Sequence, residues 1–242
     1  MSKQIPWFRV VVEGVVIVAS ILLAFGIQAW WEGSQERELE RRYLEALRGE
    51  FAAVQANVPG EDDTRAGVLH AHEALIIQTQ SEEMAPADSL FLWMSQTSYP
   101  HGFDPPRAVF DDLLSSGGTR LIRSDPLRVE LARYGAQLDF TRRLDDQAWA
   151  TWEQRMQPFL EGRVPRVDRI RRGLYSVLGY EPPFGPSRHA ADFEAVLTDP
   201  TFEDMLADRW LRLDRALAIF RELSLLIDRI VALIDSSLEA AG

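Results

Sequence analysis

The stretch VVVEGVVIVASILLAFGIQAWW, residues 10–31, is almost wholly apolar and carries a single charged residue, Glu13. A helix rises about 1.5 Å per residue, so this stretch would extend about 33 Å, close to the thickness of the hydrocarbon layer of a bilayer. Indole rings favour the boundary between lipid and water; Trp7 precedes the stretch, and Trp30 and Trp31 end it. The sequence therefore predicts one transmembrane helix over residues 10–31, with the three tryptophans as interface anchors and the lipid bilayer as a partner.

A cleaved signal peptide is the alternative interpretation, because Ala24 and Gly26 are small enough to precede a cleavage site. The apolar stretch is longer than the roughly 7–15 residues of a typical signal-peptide core, and a helical pattern follows it without a break. Both features favour a retained anchor.

A partly polar stripe follows one face of the predicted membrane helix. Glu13, Ser20, Ala24 and Gln28 are separated by seven or four residues, so they share a face. A carboxyl in hydrocarbon is costly without a partner, and the small residues let a second helix approach closely. The stripe predicts self-association or association with another membrane protein, with Glu13 protonated or hydrogen-bonded at the contact. The alternative is that Glu13 reaches the nearby headgroups and the small residues are incidental.

The composition of the whole chain excludes several classes of protein. Its 242 residues are 46% hydrophobic, which excludes a disordered tail as the main body. It has no cysteine, so disulfides and cysteine-based catalytic or metal sites are excluded. The net charge of −11 argues against a general nucleic-acid binder. Lys3 is the only lysine, so all other basic side chains are arginines.

Apolar residues repeat at intervals of three and four through most of residues 32–242, which predicts an all-α fold. Residues 32–58 are expected to continue the membrane helix as a stalk, ended by Pro59 and Gly60. Residues 201–238 carry two adjacent apolar rows, which suit the centre of a bundle better than a two-stranded coiled coil. We therefore predict a tail over residues 1–9 and a membrane-proximal helical bundle over residues 32–242.

Two smaller patterns occur within residues 32–242. Gly117 and Gly118 stop a short helix at a place that favours left-handed backbone. Thr141 and Asp145 interrupt the apolar face of the helix predicted over residues 126–157, which indicates that this helix leaves the core there.

No pattern predicts catalysis. The chain lacks a nucleophile elbow and a phosphate-cradling glycine loop, and His70 and His72 are two residues apart, so on a helix they diverge. We expect no enzyme activity, no catalytic residue, no cofactor and no metal site.

A basic cluster has two interpretations. It consists of five arginines close together in the chain: Arg163, Arg166, Arg169, Arg171 and Arg172. Pairing with the many carboxylates of the protein is the favoured interpretation, and a phosphate or nucleic-acid patch is the alternative.

An irregular loop follows a short predicted helix. Tyr99, His101 and Phe103 lie among prolines there, and Trp93 lies just before them. These residues are the candidate ligand or partner loop.

Two segments resemble an uncharacterised bacterial family of single-pass membrane proteins, a domain of unknown function. The first covers the apolar stretch and the charged helix after it, and the second lies between residues 103 and 128. The residues that carry the resemblance are Glu13, Gly14, Val18, Ala19, Ser20, Ile21, Leu22, Leu23, Ala24, Phe25, Gln28, Ala29, Trp30, Trp31, Arg42, Tyr43, Leu44, Phe103, Leu114, Ser115, Ser116, Gly117, Leu121, Ile122, Leu127 and Arg128. The resemblance implies a membrane-anchored helical protein with a cytoplasmic amino terminus and brings no catalytic residues. Gly117-Gly118-Thr119 departs from the single glycine usual in that segment.

These observations together predict an interaction or scaffold protein of the bacterial inner membrane, with tail 1–9 in the cytoplasm and the body in the periplasm. The flank after the span carries more arginines than the tail carries bases, which would favour the opposite orientation. A short basic tail is, however, the usual cytoplasmic end of such anchors. The alternative function is a sensory or ligand-binding module that signals through a membrane partner.

Overall fold

A computed structural model describes residues 7–99, 102–175, 179 and 181–240 of the chain, with side chains in the first helix described from Glu13 onward. The fold is all-α, as predicted, and no β-strand occurs among the described residues.

Eight α-helices are described. Their bounds are α1 Trp7–Thr79, α2 Ala87–Gln96, α3 Ala108–Ser115, α4 Asp125–Thr151, α5 Gln157–Leu160, α6 Arg166–Arg169, α7 Phe193–Leu197 and α8 Pro200–Ala240. A 3-10 turn spans Gly118–Leu121, and two π-helical turns span Trp152–Met156 and Ile170–Leu174.

The chain divides into two compact units. Unit 1 consists of Met1–Glu50, Arg107–Arg128 and Ala232–Gly242, and unit 2 consists of Phe51–Pro106 and Val129–Val231. The prediction of one bundle over residues 32–242 stays a prediction.

The predicted end of the stalk helix at Pro59 is wrong, because α1 continues through this proline to Thr79. A proline inside a helix removes one backbone hydrogen bond and costs about 3 kcal/mol. Phe51 and Val54 before it and Val68 after it are buried in unit 2. Burying one such side chain contributes about 1.5–3 kcal/mol, so packing on both sides of Pro59 outweighs the local penalty.

Unit 1 is held together by carboxylates of α1 that accept backbone hydrogen bonds. Glu50 accepts from the free amides of Val109 and Phe110 at the start of α3, at 2.7 and 3.0 Å. Glu40 accepts from the amide of Arg123 at 2.6 Å. A carboxylate at a helix start satisfies orphan donors and complements the helix dipole. The left-handed backbone predicted after α3 is confirmed at Gly117, where φ is +73°.

Unit 2 has a filled apolar core. Its largest cluster is formed by Leu75, Leu90, Phe91, Met94, Trp152, Met156, Leu160, Val164, Val196, Leu197, Phe202, Met205 and Leu206. The predicted long carboxy-terminal helix is confirmed as α8. Leu206 and Phe220 from one of its two predicted rows, and Leu223 and Leu226 from the other, are buried.

Helix α4 stays in the core where it was predicted to leave it. Thr141 is fully buried, and Asp145 is 2% exposed. That prediction is wrong because Asp145 finds a buried charged partner on α1, which polarity alone does not show.

Candidate functional site

The apolar stretch predicted to cross the membrane lies at the start of α1. The described part of the chain contains one helix, Glu13–Thr79, that is long and apolar enough to span a membrane, and its apolar segment is not buried at all inside the protein. Large apolar side chains from Val15 to Trp31 expose about half or more of their surface, and the least exposed is Ile21 at 49%.

All four residues of the predicted association stripe are exposed on α1. The hydroxyl of Ser20 donates to the backbone oxygen of Val16 at 2.8 Å, and Gln28 donates to Glu32 Oε1 at 2.9 Å. Both hydrogen bonds lie within α1. Glu13 and Ala24, the other two residues of the stripe, are exposed as well. The proposed contact with a second helix stays a prediction.

The predicted interface anchors Trp30 and Trp31 are both exposed, as a lipid-facing residue requires. The side chain of Trp7 lies outside the described residues.

The structure does not gather the predicted loop residues into one exposed site. Phe103 is buried and packs edge-on against the ring of Phe220, with centroids 5.1 Å apart. Trp93 packs against the large core cluster of unit 2, and Tyr99 is exposed. His101 lies outside the described residues. The aromatic rings of this region serve mainly to fill the core, so the ligand or partner role of the loop stays a prediction.

A buried ion pair joins α1 to α4 inside unit 2. Arg65 donates from Nη1 and Nη2 to the two oxygens of Asp145, both at 2.7 Å, and from Nε to Glu61 at 2.8 Å. The guanidinium carbon lies 4.8 Å from the ring centroid of Phe220. Both carboxylates and the aromatic face offset the cost of burying this cation. Burial raises the pKa of Glu61, and the neighbouring Arg65 opposes that rise.

A second buried arginine has no carboxylate partner among the described residues. Arg209 is fully buried; its Nε donates to the backbone oxygen of Ala148 at 3.2 Å, and its Nη1 donates to that of Thr97 at the end of α2. Its guanidinium lies 5.4 Å from the ring of Trp152, which opens the first π-helical turn. Burial lowers the pKa of Arg209 to about 9, so the side chain is still charged at neutral pH.

Sequence reasoning missed Arg209. The one sequence signal was that Arg209 lies between Leu206 and Leu213 in the periodic pattern of apolar residues in α8. The neighbouring Trp210 fits that pattern equally well, so Arg209 did not stand out. Trp210 is only partly buried and donates to Glu73 at 3.1 Å.

The basic cluster is mostly unpaired, contrary to the favoured interpretation. Within the described residues only Arg172 has a carboxylate within 4.0 Å, that of Asp88. Arg163 donates to the backbone oxygen of Phe159, and Arg169 is buried near Trp152. Burial, together with the charge of the neighbouring Arg166, lowers the pKa of Arg169 to about 10.

Comparisons with protein-family models, with curated proteins and with solved structures gave no match to this chain. The interpretation of the apolar segment and of the unpaired arginines therefore rests on the geometry alone.

Proposed function

We propose that this chain is a single-pass membrane protein of the bacterial inner membrane, anchored by the apolar part of α1, whose helical units bind another protein. The observation that carries the proposal is that no residue of the apolar segment of α1 is buried inside the protein.

The side chains between residues 15 and 31 expose a large apolar surface. Eleven large apolar side chains there are exposed by about half or more. Full burial contributes about 1.5–3 kcal/mol per large apolar side chain, so moving their exposed parts out of water would gain roughly 10–20 kcal/mol. Soluble monomers rarely expose contiguous apolar patches of more than a few hundred Å², so a lipid environment for this segment is the simplest account.

The proposed orientation places residues 1–9 in the cytoplasm and the body in the periplasm. Lys3 and Arg9 precede the span without an acidic residue between them, and such a basic flank favours the cytoplasmic side of the membrane. The resemblance noted above supports the same orientation.

The packing of aromatic rings near the predicted loop supports the interaction role. Phe103 packs against Phe220, and Trp93 packs against the large core cluster of unit 2. Because these rings are used in packing, binding through surfaces is favoured over capture of an apolar ligand.

The absence of native cysteine gives a direct test of anchor and orientation. Ser2→Cys places one thiol in the tail, and Glu82→Cys places one in the exposed segment between α1 and α2. In spheroplasts, a membrane-impermeant maleimide is expected to label the Glu82→Cys protein and to leave the Ser2→Cys protein unlabelled until lysis.

The reverse labelling pattern would contradict the orientation while keeping the anchor. Release of the full-length protein from membranes by alkaline carbonate would contradict the anchor itself. Cross-linking in intact membranes followed by mass spectrometry then tests the interaction role, and the recovery of no protein neighbour would contradict it.

A further inference from the structure

The segment of residues 163–172 is a concentration of positive charge in an acidic protein. It holds five arginines and one acid, Asp168, whereas the chain as a whole carries −11. Asp168 is buried and accepts a hydrogen bond from the backbone amide of Ser187 at 3.0 Å, and none of the side-chain nitrogens of these five arginines lies within 4.0 Å of its carboxylate oxygens. Within the described residues, Asp88 is the one acid with a carboxylate oxygen within 4.0 Å of an arginine nitrogen of this segment.

Two of these arginines line a cleft on unit 2. Arg171 and Arg172 from the second π-helical turn face Asp88, Ser89 and Leu92 from α2 around a volume of about 490 Å³. The first turn of α2 borders the cleft, and the positive end of the helix dipole favours an anion there.

Arg172 is held in place and its charge is balanced. Its Nε donates to Asp88 Oδ1 at 2.6 Å, and its guanidinium lies 4.7 Å from the ring centroid of Phe91. Asp88 therefore fixes one wall of the cleft and cancels one of the two positive charges that line it.

Arg171 is not balanced in this way. Its Nε is buried without a hydrogen-bond acceptor, and no carboxylate oxygen lies within 4.0 Å of its side chain among the described residues. A guanidinium that has no carboxylate partner can donate charge-assisted hydrogen bonds from its terminal nitrogens to an oxyanion in the cleft.

The two walls of the cleft are held together by a close helix crossing. A Cβ placed on Gly173 would lie 2.0 Å from Ser95 Cβ and 3.1 Å from the backbone oxygen of Phe91. Only a glycine lets the π-helical turn approach α2 so closely. The crossing fixes Arg171 relative to Ser89, and a rigid pair of donors binds an anion at a lower entropic cost than a mobile pair.

We propose that this cleft binds a single phosphate group, with the guanidinium of Arg171 and the hydroxyl of Ser89 as donors. The net lining charge of +1 suits one phosphate group better than a polyanion. The group can come from a soluble phosphate compound or from a phospholipid headgroup, since both present the same oxygens. The proposal does not depend on the membrane anchor.

The test is isothermal titration calorimetry of the full chain with two probes, in uncharged detergent at low ionic strength. Inorganic phosphate represents the soluble source, and dihexanoylphosphatidylglycerol represents the headgroup. Arg171→Gln removes the unpaired charge from the cleft. Arg166→Gln is the matched control, because Arg166 is exposed, belongs to the same cluster, has no carboxylate within 4.0 Å and does not line the cleft.

We expect saturable binding of at least one probe, weakened about tenfold by Arg171→Gln and less than about threefold by Arg166→Gln, because a charge-assisted hydrogen bond is lost only in the first variant. Binding of phosphate alone identifies a soluble ligand, and binding of the lipid alone identifies a headgroup. Absence of binding of both probes would overturn the proposal. Equal effects of the two variants would also overturn it, by showing a diffuse charge effect. Far-ultraviolet circular dichroism establishes that both variants are folded.

Discussion

Replacing Asp145 by asparagine removes the charge that Arg65 pairs with inside unit 2. The two side chains are each 3% exposed and share two hydrogen bonds of 2.7 Å. Breaking a buried ion pair by removing one partner typically costs about 3–5 kcal/mol. Glu61 and the ring of Phe220 still contact the arginine, so we expect the lower end, about 3 kcal/mol. In a unit of about 160 residues this lowers the melting temperature by roughly 6–12 °C.

The assay is thermal unfolding of the full chain in uncharged detergent, followed by circular dichroism. Glu61→Gln is the matched control, because it makes the same chemical change on the same arginine. Glu61 is more exposed than Asp145, and burial raises its pKa, so loss of its charge is less costly. We expect Glu61→Gln to cost less than about 1 kcal/mol.

A double variant separates the charge from the space it fills. Arg65→Met with Asp145→Leu replaces the ion pair by apolar side chains and leaves no buried charge between them. We expect this protein to be more stable than Asp145→Asn, since a buried pair is often replaced at little cost. A cost of less than about 1 kcal/mol for Asp145→Asn, or a double variant that is the least stable of the set, would show that the buried charge on Arg65 does not need Asp145.

Two further predictions concern unit 2. Gly173→Ala should destabilise the protein by about 1–3 kcal/mol because its new Cβ would overlap Ser95, and adding Ser95→Gly should restore part of the lost stability. Gly67→Ala, which has open space around it, should be neutral or slightly stabilising. Thermal unfolding of the wild-type protein and these three variants checks this, and equal effects at the two glycines would contradict it. Burial lowers the pKa of Arg209 to about 9, well below that of an arginine in the unfolded chain. Above about pH 9 the folded protein therefore releases this proton before the unfolded chain does, and its stability relative to Arg209→Met should rise as the pH increases from roughly 8 to 10.5. Unfolding experiments at both pH values measure this difference, and a constant difference would show that Arg209 does not titrate there.

The predictable part of the fold followed from the period and length of apolar runs. The exposed apolar start of α1 and the two rows of α8 are properties of consecutive residues, so the sequence alone revealed them. The predicted helix end at Pro59 is wrong because it considers only the local free-energy cost of a proline inside a helix. Burial of Val54 and Val68 on either side of Pro59 keeps α1 continuous. Burial of a neighbouring face is a tertiary effect that local propensity does not contain.

The candidate site was harder to predict, since it depends on which charges meet. Asp145 looked like a surface residue until its partner, eighty positions earlier in the chain, was known. Arg171 looked like one member of a paired face, but the carboxylate on the facing helix contacts Arg172 instead. The chain has acids in excess, and composition predicts that most arginines pair. It does not predict which arginine is left without a partner.

The two π-helical turns have a consequence for how this chain can change over evolutionary time. Each turn holds one residue more than an α-helical turn of the same rise, so deleting a residue within Trp152–Met156 or Ile170–Leu174 would restore regular geometry while the flanking segments keep their places. Descendants of this gene should therefore tolerate single-codon losses there better than elsewhere in the same helices. At Ile170–Leu174 the cost would fall on the residues that now face α2, among them Arg171 and Gly173.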